Sequence, residues 1–421
     1  MRAWRRSGAA VVVAAVIAMT GCGRDESGGN QEAAPPIAEG KATGEITVWA
    51  MGTEGEKLSV LADDFMKENP EAKVTVTPIP WDGAHDKLAT AIAAKQTPDV
   101  SLIGTTWMGE FAKTGGLDPT PADLVRKDDF YEGAWDTTVV DGTSYGVPWY
   151  VETRLFYVNT AVATRAGITS PPKTWEEFKS AVAAMKSRGG AEWGVNLLPP
   201  GSAIGTWQSV MPFVWSNGGD VATDGTFTLD SPQAVEAFAY YKSFFDEGLA
   251  PKGLPADGLE PAFLRGEIGA FPSGPWHIGV LKEQGGADKF TLWTMPARQS
   301  ATSFVGGGDL AVFKDAKNRD GAWKFVAYLS RPDVQTKWYK TVSDLPAVKQ
   351  GWDDPTLGGD PLLSTFGKQL EDAKSPPAIP TWEQVAAAID GETEKMAKAG
   401  LDAAEAARAM QQRATSIGTG V

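Results

Sequence analysis

Tyr150, Glu152 and Arg154 recur at every second position of the stretch WYVETR. That spacing puts all three side chains on one face of an extended segment. An ionised carboxylate there can accept two hydroxyl protons at once, and hydrogen bonds to charged partners are stronger than neutral ones. Tryptophan offers the apolar half of the same chemistry, and the chain has 16. An indole face packs against the C–H patches of a neutral sugar ring while polar groups meet the hydroxyls at its edge. Trp107, Trp207, Trp276 and Trp382 each stand where the chain leaves a strand or enters a loop, and Trp81 lies in the turn-like run Pro80-Trp81-Asp82-Gly83. Thr106 adjoins Trp107, Asp82 adjoins Trp81, and Asp309 follows three glycines. Trp49, Trp175, Trp193, Trp323 and Trp338 fall inside strand or helix patterns and are assigned to packing. For Trp107 and Trp207, packing and ligand contact weigh about equally. Each polar residue taken singly is as well explained by a solvated charge or a salt bridge.

Other chemistries find little material. His85 and His277 are the only histidines and Cys22 the only cysteine, which nearly excludes a His/Cys metal centre. The chain has no G-x-S-x-G, no H-E-x-x-H and no acidic calcium loop. Gly306-Gly307-Gly308 precedes a strand and lacks a following Lys-Ser or Lys-Thr, so it is no phosphate loop. It suits a hinge turn or a close approach to a ligand. His277, beside Trp276, either donates to a ligand hydroxyl or is an ordinary exposed histidine. No cofactor, metal or catalytic residue is expected. The 53 acidic residues nevertheless leave a hydrolytic carboxylate pair open.

These groups need a scaffold. Glu45 to Ala50, Lys73 to Thr77 and Asp99 to Ile103 read as strands. Helices from Thr53 to Asn69 and from Asp86 to Lys95 separate them. Strand, helix, strand, helix, strand is the α/β pattern of a parallel sheet. Thr174 and Glu177 form a capping box, and Ser231-Pro232 starts another helix that Gly248 ends. A strand at Asp309 to Phe313 is followed by helices from Arg319 and from Ser330-Arg331-Pro332, and Thr381 to Gln412 is helical.

The N-terminus has its own signature. Arg2, Arg5 and Arg6 precede an apolar run from Ala9 to Met19, too short to span a bilayer, and Cys22 follows small residues. This reads as a lipoprotein signal over 1–21, with diacylation of Cys22 as the anchor. Residues 22–43 read as a flexible spacer. Removing the signal takes three arginines, so the net charge goes from −14 to −17 and 400 of 421 residues remain. An acidic surface argues against nucleic acid as a partner, and the length suits two lobes.

Several segments in order resemble the extracellular solute-binding proteins of ABC transporters, in the maltose-binding-protein-like branch for sugars and oligosaccharides. They are ITVWAMGTEGEKLSVLADDFMKENP, Thr97 to Val100, Tyr145 to Arg154, PPKTWEEF, Gly269 to Trp276, and Gly306 to Val312. The resemblance implies an α/β, two-lobe periplasmic-binding-protein fold (type II-like), each lobe a mixed or parallel sheet flanked by helices, joined by a hinge. Lobe 1 is expected at 44–151 and 305–343, and lobe 2 at 152–304 and 344–421. It also implies Trp276 and Trp382 as stacking aromatics, Glu152 as a cleft carboxylate, and Thr53 and Glu54 as first-lobe contacts. Glutamate stands at 54 where the family often has lysine, which points away from maltose itself. The function implied is a monomeric extracytoplasmic receptor that delivers a di- or oligosaccharide to ABC permease subunits. The alternatives are the same clamp for a glycerol-phosphate-type ester or an amino sugar, and a cell-surface glycoside hydrolase.

Overall fold

Apolar residues alternate along Gly44–Met51, so this strand, β1, buries Ile46, Val48 and Ala50 on one face. The computed structural model describes residues 34–199, 205–255 and 257–420. The signal segment and Cys22 lie outside them. β1 pairs in parallel with β2 (Ala72–Ile79) and β3 (Val100–Gly104). Helix Ala84–Ala94 joins β2 to β3. The helical stretch after β1 is divided at Leu58 into Gly52–Lys57 and Ser59–Glu68, the second burying Leu61, Ala62 and Phe65.

Seven further strands complete two sheets: β4 (Val147–Thr153), β5 (Leu155–Asn159), β6 (Ala270–Ser273), β7 (Phe290–Trp293), β8 (Ser303–Val312), β9 (Leu345–Pro346) and β10 (Ala373–Lys374). The larger sheet runs β9-β4-β8-β3-β1-β2, with β10 paired to β8. The smaller runs β6-β5-β7 and is antiparallel throughout. Alternation along β5 serves two cores at once: Leu155 and Tyr157 join one apolar cluster, Phe156 and Val158 the other.

Arg154 alone separates β4 from β5, so the chain passes between sheets in one residue. The return strand β8 is laced to that point. Thr153 donates its hydroxyl to the Phe304 carbonyl at 2.6 Å, and Ser303 donates to the Arg154 carbonyl at 2.8 Å. Within β8, Gly307 has φ +134°, and a Cβ there would lie 2.1 Å from the Tyr150 carbonyl oxygen. Only glycine fits. The close approach expected of this glycine run is therefore to the neighbouring strand.

Local signals in the second core hold with one shift. Thr174 caps helix Trp175–Ser187 by accepting from the Glu177 amide at 3.2 Å, but the Glu177 carboxylate accepts from the Lys173 amide, one residue before the cap. Ser231 accepts from the Ala234 amide at the head of helix Pro232–Asp246.

Two expected boundaries need correction. Leu345 and Pro346 pair with Val151 and Tyr150, so the chain still belongs to the larger sheet beyond residue 343. The spacer does not stay free to residue 43. Arg319 donates to the Pro35 carbonyl, Asn318 to the Thr43 carbonyl, and Ala42 is 1 % exposed. Its backbone groups find fixed partners, which an unstructured tether would not have. Among the described residues no helix is long and apolar enough to cross a membrane.

Candidate functional site

The carboxylates gather where strands end. Glu54 lies in the helix that opens directly after β1, Tyr150 and Glu152 are on β4, and Asp344 immediately precedes β9. The Tyr150 hydroxyl and the Trp81 indole lie close to the Glu54 carboxylate and favour its charged form. Trp338 donates its indole N–H to Asp344 Oδ2 at 3.0 Å. Burial pushes the Glu54 carboxyl up, and the charge of Glu152 adds to the effect. Burial likewise drives Asp344 well above the usual carboxylate range, with Glu54 and Glu152 contributing. Burial raises the Tyr150 phenol too, next to the same acids. Three acids and a phenol thus share one poorly solvated corner.

Trp81 and Trp107 wall this corner, edge to face with ring centres 5.6 Å apart, and Trp81 is 39 % exposed. His85 packs on Trp107 and lies 3.0 Å from Glu110, which holds the wall from behind.

Opposite the acids, Arg154 is 4 % exposed. Its Nη2 donates to Glu152 Oε1 at 3.2 Å and also to Gln208 Oε1. The guanidinium plane lies over Trp276 at 4.8 Å and over Phe304 at 5.1 Å. A buried arginine held this way fixes both a carboxylate and an indole without free rotation. Trp276 itself is half-buried at the head of helix Trp276–Glu283.

The structure brings together Glu54, Trp81, Trp107, Tyr150, Glu152, Arg154 and Trp276. Thr53 and Asp82 are exposed beside them, and Thr106 is half-buried next to Trp107. Three expected site residues lie elsewhere. Trp207 and Trp382 are 5 % and 1 % exposed and meet edge to face at 5.0 Å within the second core. Trp382 shares the apolar stripe of helix Trp382–Glu394 with Val385, Ala386 and Ile389, which faces inward. Asp309 is 1 % exposed, on the stretch of β8 that lies between β3 and β4.

Asp309 carries a prediction. Thr137 Oγ1 lies 2.7 Å from the Ala134 carbonyl and 3.0 Å from Asp309 Oδ2. Its single proton serves either acceptor, and a protonated carboxyl can donate to Thr137 in turn. Burial pushes Asp309 up to about 8, against the opposing effect of the Thr137 hydroxyl. An unfolded aspartate ionises near ~3.9. Stability is full below that value and falls as pH rises toward the folded value, by at most about 1.4 kcal/mol per pH unit. Asp309→Asn keeps a donor to Thr137 and has no proton to lose. Scanning calorimetry between pH 5 and 8 should show a shallower fall in Tm for the variant. Parallel slopes for the two proteins would mean that Asp309 is ionised in the fold.

Sequence reasoning missed Asp344 and Gln208. Asp344 follows the left-handed Ser343 at a helix end, a local signal of a turn and not of a site. Gln208 carries no pattern at all.

The model of the bacterial extracellular solute-binding protein family matches residues 60–365. Proteins of Brucella abortus and Brucella suis, named only as binding proteins, are 31% identical over 330 residues, 76% of this chain and 80% of theirs. The diacetylchitobiose binding protein DasA of Streptomyces coelicolor is 30% identical over 331 residues, 74% of each chain. Among solved structures, the sugar-binding protein MalE from Xanthomonas citri superposes with a TM-score of 0.83 at 31% identity, covering 89% of this chain and 97% of that one.

Proposed function

The chain belongs to the bacterial extracellular solute-binding protein family, and from that premise we propose that it is a receptor for a di- or oligosaccharide. It acts outside the cytoplasmic membrane as a monomer, held there by lipid on Cys22, and hands its cargo to ABC permease subunits. The lobes close on the ligand about the Thr153–Arg154 and Ser303–Phe304 crossovers. Closure is stabilised by whatever contacts the sugar makes only when both walls are in place. The observation that carries the reading is the pairing of Trp276, clamped by Arg154, with Glu152 two residues away and Glu54 and Tyr150 beyond. A flat apolar face next to fixed acceptors is what a hydroxylated ring requires. Relatives named for diacetylchitobiose and maltotriose support the class. The protein binds and does not cleave.

One relative is named for sn-glycerol-3-phosphate. Here Glu152, and Glu54 when ionised, would repel a phosphate in a poorly solvated site, while an amino-bearing sugar would gain from them. Calorimetric titration decides. A panel of maltose, lactose, diacetylchitobiose, glucosamine and glycerol 3-phosphate should give a Kd of about 1 μM or tighter for at least one sugar, with no cleavage products after prolonged incubation. Binding of glycerol 3-phosphate alone would defeat the proposal.

A further inference from the structure

Residues 34–43 lie along the folded body. Ala42 is buried, and Ile37, half-buried, packs on the apolar cluster that also holds Ile46 and Phe325. The backbone between and around them is taken up by side chains. Arg319 donates to the Pro35 carbonyl at 2.9 Å, Lys324 to the Lys41 carbonyl at 3.4 Å and Asn318 to the Thr43 carbonyl at 2.7 Å. Asp320 accepts from the Ala38 amide at 3.1 Å, and Asn69 from the Ala42 amide at 2.9 Å. An extended segment outside any sheet needs such partners to stay on a protein surface. Pro35 and Pro36 have no amide to satisfy and arrive with φ already fixed, which lowers the entropy lost on docking.

The partners are themselves held. Asp118 Oδ2 accepts from Arg319 Nε and from the Trp323 indole, each at 2.7 Å, so the guanidinium is aimed before the segment arrives. Asn318 caps helix Arg319–Leu329 by accepting from the Gly321 amide at 3.1 Å. Its Nδ2 also donates to the Glu45 carbonyl in β1 at 3.0 Å, and its own amide donates to Asp99 Oδ1 at 3.0 Å. Asp99 Oδ2 in turn accepts from the amide and hydroxyl of Thr47 in β1. The segment, the first strand and the helix after β8 thus meet on one side chain. Asn69 leads into β2, and the other four partners stand at the head of or within that helix, so all five lie in the lobe of the larger sheet.

We propose that residues 34–43 are a clasp, which makes the larger-sheet lobe the tethered one and limits how far the receptor reaches from the membrane. The inference rests on the lipid anchor proposed at Cys22 and gives that anchor a length. Residues 22–33 are then all that separates lipid from clasp. Fully extended, they span at most about 40 Å, against about 75 Å for residues 22–43. The clasp also sets where the load falls. It joins β1 at its amino end, while Glu54 follows the carboxyl end, and the eight residues of the strand separate the two by about 25 Å. The tether therefore pulls on the end of the lobe remote from the ligand site. Effective concentration falls as about the −3/2 power of tether length, so the clasp raises that of the receptor at a membrane partner by roughly two- to threefold.

The test compares the full chain on lipid vesicles with its Ile37→Asp/Ala42→Asp variant, whose new carboxylates resist burial under the clasp. Trypsin should cut after Lys41 roughly tenfold or more faster in the variant than in the parent, and equal rates in two folded proteins would overturn the clasp. A dye on Glu71→Cys, an exposed site whose carbonyl accepts from the Gly44 amide at the base of the clasp, reads the reach. Its energy transfer to acceptor lipids should be stronger in the clasped chain than in the variant. Equal transfer would overturn the limit on reach. Mass spectrometry of Cys22 separates the two readings: a cysteine without lipid defeats the anchor, and the digestion still decides the clasp. Should the variant fail to fold, hydrogen exchange on the parent decides. The Ala38 and Ala42 amides should exchange roughly tenfold or more slowly than in a free peptide of residues 34–43, and equal rates would overturn the clasp.

Discussion

Replacing Trp276 with alanine should weaken sugar binding by roughly 10- to 100-fold, about 1–3 kcal/mol, on the scale of a lost aromatic anchor. The melting temperature should move by only a few degrees. The two effects separate because of where the indole stands. Trp276 is half-buried and begins its helix, so alanine is acceptable to the backbone there and leaves no sealed cavity. Arg154 loses one aromatic partner but keeps Phe304 at 5.1 Å, Glu152 and Gln208. The guanidinium therefore stays near its place, and the loss falls on the ligand's apolar face. Trp276→Phe should recover part of the affinity. Calorimetry on the tightest-binding sugar, paired with thermal melts, reads both quantities. A large drop in Tm with unchanged affinity would assign Trp276 to the core.

The opposite balance is expected at Trp338. It is 1 % exposed and stacks on Trp149 with ring centres 4.8 Å apart and planes inclined by 21°. Trp338→Ala should cost about 3–5 kcal/mol, the usual loss when a large aromatic leaves a close-packed interior. A second consequence follows from Asp344. The Trp338 indole N–H is a donor to that buried carboxyl, and without it the acid rises further among Glu54 and Glu152. Trp338→Phe keeps one aromatic ring in the stack and loses the nitrogen-bearing ring with its donor. It should cost about 1–3 kcal/mol, less than the alanine variant. Urea titrations of the three proteins give the order. A loss under about 1 kcal/mol for alanine would mean that the site collapses onto the gap. Binding by Trp338→Phe should weaken less with rising pH than binding by the parent does, because the variant holds the Asp344 proton to higher pH.

Much of the scaffold was legible because its signals are local. Alternation marks β1, and Thr174 and Ser231 mark helix starts through hydrogen bonds within three residues of themselves. The helix read as starting at Arg319 starts there in the structure and runs to Leu329. Tyr150, Glu152 and Arg154 were also legible, since period two holds up to the crossover. Prediction weakened where a strand departs from regularity. Asp309 was read as facing a ligand because it follows glycines at a strand start. It is buried instead, because β8 runs inside the sheet between β3 and β4. Trp382 was read from its position after Pro380-Thr381, while its helical stripe commits it to the interior.

By itself, then, the sequence determined the order of strands and helices, the acidic balance, the poverty in histidine and cysteine, and the crossover face, because each follows from composition or from contacts a few residues apart. The tertiary structure alone decided that Asp344 would join Glu54 and Glu152, and that Trp207 and Trp382 would pack against each other. Those meetings join residues tens to hundreds of positions apart. Their energies come from burial and from which neighbour arrives, and no spacing within a segment encodes either one.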